Sequence, residues 1–170
     1  MIDRKGVSVW VNCVGKCVSY DEGKPSIIVG SISENVVSKK IDQLTGLQNQ
    51  TVLEKSFQEI LQKGESGYFL ILGIDDFKNV NDKYGRKFGD EQLKKLAEII
   101  DKNLDYDSSL YRLDGDKFGV NLVGYSKESA KTFYDRIRTE FSIQTYSNVS
   151  AGAVGYPTDV NNYHNLYQYA

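Results

Sequence analysis

Cysteine is scarce: the 170 residues hold only Cys13 and Cys17, which excludes a secreted disulfide framework. Their spacing puts both thiols on one face of a strand, too far apart along it for an easy bridge. No second pair of metal ligands lies near them in sequence, so they read as reduced thiols packed as small apolar groups. Histidine occurs once, at His164, in a polar segment with no partner signal, and reads as a surface residue. Long apolar runs are also missing. None approaches the roughly 20 residues that cross a bilayer, and no basic-then-apolar leader with a small-residue cleavage site opens the chain. Neither charge dominates: 21 Lys and Arg against 23 Asp and Glu leave a net charge of -2, which supplies no pull toward nucleic acid or acidic lipid. These absences predict a soluble, cytoplasmic protein with no nucleic-acid partner and no membrane segment in this stretch.

What is present is ordinary globular material, 40% hydrophobic and 26% charged, enough for one full domain and part of another. Val7, Val9 and Val11 alternate with polar residues, and Val14 and Val18 extend the pattern. A turn signal at Asp21-Glu22-Gly23-Lys24-Pro25 then leads into Ile27-Ile28-Val29, so two strands are expected. A lone hairpin is marginal in water, and these strands should belong to a larger sheet. Residues 35–41 are a polar, helix-compatible linker. Asn49 is placed to N-cap a helix carrying Leu53, Phe57, Ile60 and Leu61 at helical spacing. Tyr68 to Leu72 is continuously apolar, as in a strand buried on both faces.

A second helix is expected from the stripe Leu93, Leu96, Ala97, Ile100 and Leu104, and a third from Ala130, Phe133, Tyr134, Ile137 and Phe141. Between them Asp114-Gly115 separates two apolar runs, the signal of a tight hairpin with both turn residues at positive φ. Val149 to Val154 reads as another strand and Tyr163 to Ala170 as the start of a helix. Interleaved strands and helices with a tight hairpin give an α/β (α+β) class: a mostly antiparallel central sheet flanked by helices.

The buried strand at 68–72 empties into Gly73-Ile74-Asp75-Asp76, followed by what reads as a loop of phosphate size. Mg²⁺ takes hard oxygen ligands, usually one or two carboxylates plus substrate phosphates. The hairpin tip adds a further acid at Asp116. Taken alone, Asp75, Asp76 and Asp116 are equally readable as solvated turn acids, and the residues by themselves leave both readings open.

Larger motifs narrow the choice. Asp42-Gln43-Leu44-Thr45-Gly46-Leu47-Gln48-Asn49 resembles the opening signature of GGDEF domains. Asp75-Asp76-Phe77-Lys78-Asn79-Val80-Asn81-Asp82, continued by Tyr84-Gly85 and Gly89-Asp90, resembles their strand-exit motif. Arg112-Leu113-Asp114-Gly115-Asp116-Lys117-Phe118 sits where the naming hairpin belongs, and Val149 to Pro157 is similar to the late strand. The likeness runs in family order over 42–170. Residues 1–34 resemble the last strands of a PAS sensor domain, through Val9-Trp10-Val11, the turn at 21–25 and Ile28 to Ser33. The resemblance implies a nucleotide-cyclase-like palm preceded by a PAS-like hairpin, with the front of the sensor and the rest of the terminal helix expected outside this chain.

Active GGDEF domains are diguanylate cyclases, in which two subunits each hold one GTP and join them into cyclic di-GMP with the help of metal ions. By resemblance, Asn81 and Asp90 match the guanine readers. An amide and a carboxylate suit the O6 acceptor and the N1 and N2 donors of the base. Lys78 and Phe77 match nucleotide contacts, and Asp116 matches the hairpin metal ligand. Three positions depart: the metal-binding acid four before Phe77 is Gly73, the first hairpin glycine is Asp114, and the second hairpin acid is Lys117. The formal charge of the metal cradle thereby moves from about -3 to about zero. An ammonium ~4 Å from a cation would oppose it by roughly 4 kcal/mol at an effective dielectric near 20. Substitution by Asp75 or Asp76 is disfavoured, because strand geometry fixes side-chain direction. The family's Arg-x-x-Asp inhibitory site would fall on Asp105 and Ser108, and is absent.

The expectation is therefore a degenerate GGDEF domain in bacterial cyclic di-GMP signalling, not catalytic, that senses GTP or regulates a neighbour. Mg²⁺ is expected only where nucleotide binds, and no other cofactor. Partners implied are GTP, a second copy of the chain and a neighbouring cyclic di-GMP phosphodiesterase (EAL) domain. The alternatives are a weakly active diguanylate cyclase and a nucleotide-independent dimerisation scaffold.

Overall fold

The computed structural model describes residues 11–21, 24–34, 40–145 and 147–170, with side chains from residue 40 onward. The chain divides into two units, Met1–Lys40 and Ile41–Ala170. In the first, β1 (Val11–Asp21) and β2 (Lys24–Glu34) pair antiparallel, with Val11 opposite Glu34 and Asp21 opposite Lys24. The expected strand residues Val7, Val9 and Trp10 lie outside the described residues, as do Glu22 and Gly23 of the turn. Of the helix expected over 35–41, residues 35–39 also lie outside. Lys40 is in a turn, and Ile41 bridges Gln48 rather than continuing a helix.

The second unit is built on the two expected periodicities. After a short β3 (Gln48–Asn49) comes α1 (Gln50–Gln62), capped where expected: Asn49 Oδ1 accepts the Thr51 N–H at 3.1 Å. Then follow β4 (Gly67–Ile74), α2 (Phe77–Tyr84), α3 (Arg86–Asn103), β5 (Ser109–Arg112), β6 (Lys117–Val123), α4 (Lys127–Gln144), β7 (Val149–Tyr156) and α5 (Tyr163–Tyr169). The sheet order is β3-β5-β6-β4-β7. The β3 pairing with β5 is parallel and the other pairings are antiparallel. The α+β architecture with a mostly antiparallel sheet is thus as the alternation implied.

Alternation along each strand divides the core in two. Leu70, Leu72 and Ile74 of β4 join Phe118, Val120 and Leu122 of β6 against the apolar stripes of α3 and α4. Phe69, Tyr111, Val154 and Tyr156 pack on the opposite face against Leu53 and Phe57 of α1 and Leu166 of α5. β4, buried on both sides, therefore has no exposed polar face, which is why its sequence is continuously apolar.

Local polar contacts set the ends of α4. Its N-cap Ser126 accepts the Ser129 N–H through Oγ at 3.2 Å. Ser126→Ala is expected to cost about 1 kcal/mol, read as a lower urea midpoint with unchanged slope. Near the other end, the Glu140 carboxylate accepts from Asn103 Nδ2 at 3.1 Å, Lys102 Nζ at 3.4 Å and Gln144 Nε2 at 3.0 Å, tying α4 to α3. These donors, Asn103 foremost, hold its pKa below the ordinary value. A depressed folded pKa contributes stability above the unfolded value and loses it as pH falls through the folded one. Wild type is therefore expected to lose more stability on acidification below the ordinary glutamate range than Glu140→Gln, as compared in urea titrations at several pH values.

Two local expectations are corrected. The segment after β4 is the helix α2, not a loop: it is flanked by the N-cap Asp76, which takes φ 51°, and the C-cap Gly85, φ 85°. α2 buries no residue completely, so it had no apolar stripe to reveal it. At the hairpin, Gly115 has φ 55° and Asp114 does not reach positive φ. The turn runs Asp114 to Lys117, with the Lys117 N–H donating to the Asp114 carbonyl at 2.8 Å. Its positive φ thus falls at the first central residue, the requirement of a type II′ rather than a type I′ turn.

Candidate functional site

The site is built where β4 leaves the sheet. Gly73 pairs with Lys117 on β6 and with Ser150 on β7. A Cβ placed on Gly73 would lie 3.1 Å from Asp116 Oδ2 and 4.0 Å from Lys117 Cγ. Position 73 therefore faces the hairpin acid directly, and any side chain there would meet it. Gly73, Asp75, Asp76, Asp116, Lys117 and Ser150 are among the residues lining a cleft of ≈ 380 Å³. The ionisable side chains in this lining are three carboxylates and one ammonium. Among the described residues no three His, Cys, Asp or Glu side chains converge as a metal ion requires. Ala170, at the end of α5, also lines the cleft. α5 packs this closely because a Cβ on Gly152 of β7 would run into the Ala170 carbonyl.

The expected base readers lie on α2 and α3, which pack against each other. Asn81 is half-buried on α2, and Asp90 is exposed on α3 beside the buried Gly89. A Cβ on Gly89 would run into the Asn81 amide and come 3.1 Å from Phe77 Cζ. Glycine at 89 thus lets the Asn81 side chain and the Phe77 ring lie against α3 at the residue preceding Asp90. Lys78 is exposed in the first turn of α2. His164 is exposed on α5, as expected. Asp105 and Ser108 lie between α3 and β5, where Asp105 interacts with the Tyr125 hydroxyl.

Arg112 is the residue that sequence reasoning passed over. It is 7% exposed and stacks over the Phe118 ring at 4.6 Å. Its Nη2 donates to the Gly115 carbonyl, pinning the hairpin tip, while Nη1 has no hydrogen-bond partner among the described residues. Burial lowers the guanidinium's proton affinity, and the charges of Asp42, Asp116, Asp114 and Asp90 act to raise it. This one cation thus lies within electrostatic reach of both the hairpin acid and the base-reading acid. The opening signature contributes Asp42, whose Oδ1 accepts from Thr45 N–H at 2.9 Å and Thr45 Oγ1 at 2.6 Å. The available signal was an arginine next to the hairpin, in register with an aromatic.

The model of the diguanylate cyclase GGDEF domain matches residues 39–170. An uncharacterized membrane protein of Staphylococcus aureus (strain USA300) is 31% identical over 133 residues, 71% of this chain and 37% of that protein. The chain therefore spans little more than a third of that relative's length. Among solved structures, a sensory box/GGDEF family protein from Caulobacter crescentus CB15 has a TM-score of 0.67 at 26% identity, covering 77% of this chain and 92% of the other. The GGDEF domain of PA1120 (TpbB or YfiN) from Pseudomonas aeruginosa has a TM-score of 0.66 at 26% identity, covering 75% and 82%. The S helix-GGDEF-EAL portion of Vibrio cholerae LapD, bound to c-di-GMP, shares the fold at 20% identity and a TM-score of 0.64, covering 72% and 30%.

The Staphylococcus relatives are named as membrane proteins, which overturns the expectation of a cytoplasmic protein drawn from hydropathy alone. Among the described residues no helix is long and apolar enough to cross a membrane. Sequence motifs, sheet order and structural likeness converge on one conclusion: through residues 39–170 the chain belongs to the GGDEF family of cyclic di-GMP signalling.

Proposed function

We propose that this chain is a non-catalytic GGDEF module that binds guanine nucleotide weakly and uses its occupancy to regulate a neighbouring domain. One observation carries the reading: the position facing Asp116 across the cleft is Gly73, and its partner in register is Lys117. A magnesium ion brought there would find one carboxylate where it needs several oxygens, and an ammonium beside it. The donor set does not fit the ion, and no reaction step is routed through it. Asp75 and Asp76 line the same cleft, but they do not converge with Asp116 on one point. The base side is different in kind. Asn81 on α2 packs at Gly89, the chain neighbour of Asp90 on α3, and Phe77 and Lys78 share α2 with Asn81.

In the whole protein we infer a PAS-type input through residues 1–34, dimerisation, and an output domain such as an EAL phosphodiesterase. The GGDEF-EAL arrangement named for LapD supports that last inference. The test is a pair of measurements on the full-length protein. Incubation with GTP and Mg²⁺ is expected to yield no cyclic di-GMP. Titration with guanine nucleotides is expected to show binding in the high micromolar to millimolar range, lost in Asn81→Ala/Asp90→Ala. Product formation abolished by Asp116→Ala would establish a slow cyclase instead. Absence of binding for every guanine compound at millimolar concentration would leave a scaffold.

A further inference from the structure

The two halves of the site have different electrical characters, and that difference selects the ligand. Asp75, Asp76 and Asp116 face the cleft against Lys117, so its ionisable lining carries two more negative than positive charges. A triphosphate brings about four negative charges at neutral pH and ordinarily enters a carboxylate site together with a divalent cation, which neutralises both. Here the position that would help hold that cation is Gly73, with Lys117 opposite. Phosphates arriving without a cation meet net repulsion, and a cation arriving with them meets an incomplete ligand set. The base contacts carry no such penalty. Asn81 lies four residues beyond Phe77, the first residue of α2, about 6 Å of helix rise, and the cleft residue Asp76 immediately precedes that helix, a separation on the scale of a nucleoside. Lys78, in the first turn of α2, lies between them and can neutralise part of one phosphate.

Resting on the base-reading function proposed above, we infer that the ligand of this site is guanosine or its monophosphate rather than GTP, bound without a divalent cation. Each added phosphate extends the molecule into the acidic cleft and weakens it. The base subsite depends on Gly89, because a Cβ there would run into the Asn81 amide.

The experiment is calorimetric titration of the full-length protein with guanosine, GMP, GDP and GTP, each in EDTA and in Mg²⁺. Guanosine and GMP are expected to bind equally well in both buffers, with GTP at least tenfold weaker than GMP and gaining less than threefold from Mg²⁺. In Gly73→Asp/Lys117→Glu the GTP affinity is expected to rise tenfold or more on adding Mg²⁺, while guanosine stays unchanged. GTP tighter than GMP in the wild type, or a tenfold gain from Mg²⁺, would overturn the inference and leave the base-reading proposal standing. Binding of guanosine that survives Asn81→Ala would place the ligand elsewhere and overturn it too. If no guanine compound binds, both fail, and the parent reading fails first.

Discussion

Gly73→Asp combined with Lys117→Glu is expected to raise the affinity of the full-length protein for Mn²⁺ by at least tenfold, measured without nucleotide. The new carboxylate at 73 starts from a Cβ position 3.1 Å from Asp116 Oδ2. That approach is tight, but the Asp116 carboxylate is the free end of a short side chain and can give by a few tenths of an ångström. Exchanging an ammonium for a carboxylate ~4 Å from a cation removes a repulsion of roughly 4 kcal/mol at an effective dielectric near 20 and adds an attraction. Lys117 is exposed, so salt and water screen most of that. Tenfold is what should survive. The single variant Lys117→Glu is expected to gain less, because it supplies charge without placing a ligand opposite Asp116. An unchanged Mn²⁺ affinity in the double variant would show that this cleft is not where the charge balance of the family's site is decided.

Phe57→Ala is expected to destabilise the protein by about 3–5 kcal/mol, the range for emptying a buried aromatic position. Phe57 is 0% exposed and meets Tyr156 edge-on, ring centroids 5.2 Å apart at 84°. The ring joins α1 to β7 through the core on that face of the sheet, so neighbouring side chains cannot collapse into the space without moving a helix. A urea titration would read the loss as a lower midpoint with little change in slope. A change below about 1 kcal/mol would mean that α1 is not docked as described.

Long amphipathic elements were legible because their apolar stripes are local: α1, α3 and α4 fall where Leu53, Leu93 and Ala130 begin their helical spacing. α2 was not, since its eight residues leave none fully buried and it rests on α3 rather than on an apolar face of its own. The hairpin was legible as a hairpin, but its turn moved by one residue because Gly115 alone takes the left-handed region. Arg112 lies within the hairpin motif, but its role is not legible there. Its burial depends on Phe118 beneath it and Gly115 ahead of it, a pairing that only the β5–β6 register produces. The cytoplasmic expectation rested on the hydropathy of this stretch alone, whereas the relatives named as membrane proteins are far longer than the stretch they share with this chain.

By itself, then, the order of residues determined the long amphipathic elements, the α+β class, the family and the identities of Gly73, Asn81, Asp90, Asp116 and Lys117. Those are properties of neighbours in the chain, where periods of 2 and 3.6 and short motifs leave their mark. Only the tertiary structure decided that position 73 looks straight at Asp116 and that Gly89 makes room for Asn81. It also decided that one buried arginine feels both acids. Such meetings depend on strand register and helix crossing between segments tens of residues apart, and no local pattern in the sequence records the distance across a folded chain.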